Sequence, residues 1–139
     1  MKKITLTYNQ LAILSDFLGK VTPQHVVQSL PHLAFKGVVR IENALGSVVE
    51  AMAPFSKAVR EAEEAIVAKK KESPDMTEQE QIAFEESLEF SKLAKENVEF
   101  ELSDDKVEEV GMVLERVGFN YFLNKKDYIA LCKAFGLTE

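Results

Sequence analysis

The sequence predicts an α+β protein in which helix predominates: a long, kinked antiparallel helical hairpin joined to a small sheet of two or three strands. Three observations carry this expectation. Apolar residues recur about every 3.5 residues from Val38 to Ile66, short alternating segments lie near both ends of the chain, and polar caps with glycine stops bracket the other apolar runs. With 139 residues and 46% hydrophobic content, the chain can bury one core without staples, so residues 1–139 are read as a single domain. Within it, 37–95 form the hairpin, and the strand–helix units 1–36 and 96–139 pack together.

The first element alternates, with Ile4 and Leu6 on one face and Thr5 and Thr7 on the other, which is the period of a half-buried strand formed by the N-terminal residues. Asn9 is the expected cap of a helix presenting Leu11, Leu14, Phe17 and Leu18, with Gly19 as its left-handed stop. Thr22-Pro23 suits a second helix start, and Pro31 a break.

The most specific signal follows. Val38, Ile41, Leu45, Val48, Met52, Phe55, Val59, Ala62 and Ile66 are separated by alternating intervals of three and four, the coiled-coil period. Pro54 lies beside this stripe, removes a backbone donor, and should kink the helix or split it into two. Lys69-Lys70-Lys71 suit the negative end of the helix, and Ser73-Pro74-Asp75 is turn chemistry. Thr77 and Glu80 form a capping box that opens the second arm, 77–95, with Ile82, Phe84, Leu88 and Leu93 as its larger apolar groups. This arm is about half the length of the first at ~1.5 Å per residue, so the early stripe must meet the sheet, another helix or another subunit.

Val98, Phe100 and Leu102 alternate with Glu99 and Glu101 as a second strand. Ser103 caps a helix carrying Val107, Val110, Leu114 and Val117, which stops at Gly118. Residues 119–123 are read as a possible third strand. Asn124 caps the last helix, with Tyr128, Leu131, Cys132 and Phe135 at helical spacing up to Gly136.

Charge is unevenly divided. Residues 72–109 hold 14 acidic and 3 basic groups, a net −11 within a chain of −6, so the second arm is acidic while residues 1–71 carry 10 basic and 6 acidic groups, +4. Phosphate backbones and anionic membranes are repelled by such a chain, and neither nucleic acid nor membrane is the expected partner. The segment Met1-Lys2-Lys3-Ile4-Thr5-Leu6-Thr7 lacks the apolar run of a signal peptide. The single cysteine, Cys132, fits a reducing compartment, so the expected location is cytoplasmic.

The chemistry-bearing residues read as structural. His25 and His32 lack the further ligands of a metal site, Cys132 sits on an apolar helix face, and nothing in the spacing selects a catalytic pair among the carboxylates. Asp104-Asp105-Lys106 lacks the alternating ligands of a calcium loop, and no glycine-rich phosphate cradle occurs. No catalytic residue, cofactor or metal is therefore expected.

The order of Ile4-Thr5-Leu6, the hairpin at 38–95, and Val98-Glu99-Phe100-Glu101-Leu102 resembles that of small uncharacterised accessory proteins encoded by bacteriophages. The resemblance implies an accessory role in the host cytoplasm without a known reaction. The function expected overall is a non-enzymatic protein–protein interaction or assembly protein that binds a host or phage protein, or itself. Its candidate surface is Val38, Ile41, Leu45, Val48, Met52 and Phe55 on the stripe, with Glu85, Glu86 and Glu89 on the acidic arm. The alternatives are a virion structural component and a small enzyme whose site is assembled only in three dimensions.

Overall fold

A computed structural model describes residues 1–118, 121–122 and 124–137 of the chain. It is a predominantly helical α+β fold in which, among the described residues, eight helices accompany one two-stranded antiparallel sheet.

Strand β1 (Lys2–Thr7) pairs with β2 (Asn97–Leu102) in the register Ile4↔Phe100 and Leu6↔Val98. The alternation therefore places Ile4, Leu6 and Leu102 in the core. The exposed face sets Lys3 opposite Glu101, a favourable cross-strand charge pair. Of the segment expected as a third strand, Phe119, Asn120 and Leu123 lie outside the described residues. Tyr121 is in a turn, and with Phe122 it packs its ring on Phe17 at centroid distances of 5.4 Å.

Helix α1 (Tyr8–Lys20) is capped by Thr7, not by Asn9: the Thr7 hydroxyl accepts from the Gln10 amide while the Gln10 side chain accepts from the Thr7 amide, each at 3.1 Å. This reciprocal box satisfies two orphan donors, which a cap at Asn9 would have left to solvent. Gly19 does not stop the helix; it stays helical, and the chain turns out at Val21 in extended conformation. Helix α2 (Pro23–Ser29) begins on the Thr22 cap as expected.

The long stripe is divided between α3 (Phe35–Ala51) and α4 (Ala53–Glu72), which meet at Met52. Pro54 falls in the first turn of α4, where its missing N–H costs least, so the proline splits the rod. Helix α3 packs against α1, α2, β2 and the later α7, and its inner stripe is covered by its own chain. The deepest line runs through Gly37, Ile41, Ala44 and Val48, then Phe55, Ala58 and Ala62. Ala44 and Ala58 are buried on this line where the larger Leu45 and Val59 are only half-buried, since small side chains permit close helix approach.

After the turn at 73–77 the chain reverses, and α5 (Glu78–Ser87) and α6 (Glu89–Leu93) form the return arm. The expected single helix breaks at Leu88, which is extended at ψ 151°. Serine hydroxyls compete for carbonyls there: Ser87 donates to Phe84 at 2.6 Å and Ser91 to Glu85 at 2.8 Å. Helix α6 packs on α4, and Tyr8 stacks on Phe55 at 5.8 Å at the base of the arm. The amides of Tyr8 and Asn9 donate to the carbonyls of Glu96 and Ala94, which fastens the arm to the start of α1.

Helix α7 (Asp104–Val117), capped by Ser103, contributes Val107, Val110, Val113, Leu114 and Val117 to the core. Helix α8 (Lys125–Ala134), capped by Asn124, closes the core with Leu131, and Phe135 just beyond it adds a further apolar group. Gly136, at φ +85°, supplies the left-handed turn that an L-residue disfavours.

Candidate functional site

Two parts of the molecule set side chains outside the core in arrangements that packing does not require: the outer face of α3 and the arm formed by α4, α5 and α6.

The expected stripe residues lie on the inward side of α3 and at the start of α4. Ile41, Val48 and Phe55 are buried, while Val38, Leu45 and Met52 are half-buried at its edges. The five from Val38 to Met52 lie along the helix that packs against α1, α2, β2 and α7, whereas Phe55, on α4, stacks on Tyr8. On the acidic arm, Glu85 is half-buried and takes a long hydrogen bond from Gln81 at 3.4 Å, whereas Glu86 and Glu89 are exposed.

Helix α5 contributes no buried side chain, and its Ile82 is 47% exposed. On α4, Val67 is 54% exposed and lines an open groove with Glu63, Glu64, Ala68 and Lys71. The arm is held closed partly by Lys69, whose ammonium lies 5.6 Å from the centroid of the Phe84 ring. It therefore offers separate apolar groups among carboxylates.

The outer face of α3 was not foreseen as a surface. Phe35 is 76% exposed, Val49 51% and Val39 41%, and a Cβ placed on Gly46 would meet nothing within 4 Å. Phe35 follows Ala34, whose φ of 49° and ψ of −123° are costly for an L-residue, and Ala34 makes no side-chain cap for the helix. Behind this face, Arg40 donates to Oε1 of the buried Glu109 on α7, while Glu109 Oε2 finds no hydrogen-bond partner among the described residues. The pair spans 69 positions, so no local pattern announces it.

The titratable groups elsewhere serve packing. Burial pushes the Cys132 thiol up, the neighbouring Tyr128 side chain opposes this, and Glu115 adds to it. Cys132 therefore stays protonated at neutral pH, the opposite of an activated nucleophile. Tyr128 donates to the Leu114 carbonyl at 2.8 Å and is pushed up to about 12, chiefly by burial. His25 meets the Tyr121 hydroxyl through Nδ1 at 3.2 Å, and His32 is exposed. Among the described residues no cluster of three or more His, Cys, Asp or Glu side chains is placed to hold a metal ion, and no helix is long and apolar enough to cross a membrane.

No family model, curated protein or solved structure matches the chain.

Proposed function

We propose that the chain is a protein-binding module without a reaction of its own, and that the α4–α6 arm supplies the contact. The observation that carries this reading is α5: a ten-residue helix that buries none of its side chains and exposes Ile82 with Glu78, Glu85 and Glu86 one turn to either side of it. A helix contributing so little to the core is not explained by stability, and an apolar group rimmed by charge is the ordinary composition of a transient docking surface. The acidic rim fits a protein partner with a basic border around an apolar recess, and it disfavours nucleic acid. The resemblance to phage-encoded accessory proteins supports placing such a module in a host cytoplasm, with a host or phage protein as its target.

Affinity capture with the full chain tests this. Ile82→Glu, and separately Glu85, Glu86 and Glu89 all changed to Lys, are expected to keep the fold and to lose the captured protein. Capture that is equally efficient with all three chains would overturn the reading.

A further inference from the structure

Helix α3 combines several locally unfavourable features: like α4 and α6 it has no side-chain cap, and like α2 it has neither an acid in its first turn nor a base in its last. The strand-linked and turn-linked helices α1, α2, α5, α7 and α8 have Thr, Ser or Asn side-chain caps, whereas α3 starts at the strained, uncapped Ala34. Helices α7 and α8 carry acids in the first turn and a base in the last; α3 has neither, and instead places Lys36 in its first turn and Glu50 in its last. Both charges oppose the helix dipole. Its solvent face also carries Phe35, Val39 and Val49 around Gly46, a glycine that lowers helix stability and has open space in front of it. Local rules broken together on one face mark a surface selected for something other than the stability of the monomer.

The pattern is self-complementary. Lys36 and Glu50 are fourteen positions apart, close to four helical turns, so they share one flank of the exposed face. In an antiparallel two-fold pair, like flanks meet, and an axis over Asn43 sets Lys36 of each copy opposite Glu50 of the other. The same axis sets Val39 against the open space at Gly46, and Phe35 against the gap between Val49 and Ala53. Each dipole-opposed charge then gains a partner, and the glycine gap receives a side chain.

We propose that the outer face of α3 is the interface of a homodimer in which two copies of this helix cross antiparallel about Asn43. The partner is a second copy because the charge order along one flank, Lys36 at its start and Glu50 at its end, complements its own reverse, while the exposed Glu42 lies on the opposite flank and has no such complement. This surface reaches α4 only at its first residue, Ala53, and includes none of Ile82, Glu85, Glu86 and Glu89, so the dimer and the partner-binding reading stand or fall separately. One helix face of this size buries less than a standard interface, so the dimer is expected in the micromolar range.

Sedimentation equilibrium of the full chain from about 1 to about 500 μM brackets that range. The wild type is expected to dimerise. Lys36→Glu alone and Glu50→Lys alone each turn two attractions into repulsions and should weaken the dimer about tenfold, while thermal unfolding stays unchanged or rises, since each change now suits the helix dipole. The double swap should restore the wild-type constant to within about threefold, because both pairs reform with reversed sign. Val39→Lys with Val49→Lys should leave a folded monomer. A wild type that stays monomeric throughout, or a double swap no tighter than the single variants, would overturn the proposal; loss of arm capture with the dimer intact would not touch it.

Discussion

Val48 and Val49 are neighbours on α3 with opposite surroundings: the first is 0% exposed and the second 51%. Replacing each in turn by alanine asks which way the helix faces. Val48→Ala removes two buried methyl groups at about 0.8 kcal/mol each, and the space left among α1, β2 and α7 brings the expected cost to about 2–3 kcal/mol. For a chain of this length that corresponds to a melting temperature lower by roughly 7–12 °C. Val49→Ala gives up little burial and gains helix propensity of up to about 0.5 kcal/mol, so its stability should match the wild type within about 2 °C at low concentration, where no dimer contributes. Calorimetry or urea unfolding of both variants at matched low concentration reads the difference directly. Equal losses at the two positions would refute the assignment of the inner and outer faces of α3.

Other consequences can be measured on the same footing. A Cβ at Gly118 would meet the Tyr128 ring at 2.9 Å, so Gly118→Ala should cost about 1–3 kcal/mol, visible as a lower urea midpoint with an unchanged slope. Arg40→Ala strips the partner from the buried Glu109 carboxylate; because the Arg40 side chain is 40% exposed, the expected cost is about 1–3 kcal/mol rather than that of a fully buried pair, and Arg40→Met with Glu109→Leu should recover most of it. Tyr128 is protonated in the fold beyond its ordinary pKa of 10.0, so its contribution to stability is complete below pH 10 and disappears as pH rises to about 12; Tyr128→Phe should flatten that alkaline loss in urea titrations. Thr7→Ala, which removes the hydroxyl half of the capping box at α1, should cost about 1 kcal/mol by thermal unfolding.

Much of the fold is written in local chemistry. The alternation at Ile4 and Leu6, the caps at Thr22, Thr77, Ser103 and Asn124, and the glycine turn at Gly136 all rest on groups within a few residues of each other and appear where expected, although at Thr77 only the hydroxyl half of the expected box forms, accepting from the Glu80 amide at 3.2 Å. The stripe from Val38 to Ile66 was legible as helical, and Pro54 as an interruption, because period and missing donor are local properties. Its partner was not: burial of Ile41 and Val48 depends on α1, α2, β2 and α7, which lie far away in sequence. Counting only large apolar groups also hid Ala44 and Ala58, which are buried beside Val48 and Ala62. The cap at Thr7 escaped because Asn9 is an equally good capping type, and only the reciprocal bond from Gln10 separates them. The split at Leu88 depends on Ser91 reaching back six positions to the Glu85 carbonyl.

The surfaces were less legible for the same reason. Nothing local marks Phe35 as exposed; it is the course of 31–34 that leaves it facing solvent. The dipole-opposed Lys36 and Glu50 could have been noticed from the helix ends alone, and they are the one trace of the outer α3 face that the sequence carries without the fold. On the acidic arm, Glu86 and Glu89 are exposed as an unpacked helix surface requires, whereas Glu85 is drawn in by Gln81.

Helix α3 is the structural axis of the core, while α5 is carried outside it. Residue-resolved amide hydrogen exchange compares the two helices in one experiment. Amides of Ile41 to Val48 should exchange only through global unfolding, and those of Ile82 to Glu86 through cheaper local opening, since α5 anchors no side chain in the core. Protection of α5 equal to that of α3, or exchange of the α3 amides through local opening, would contradict that arrangement.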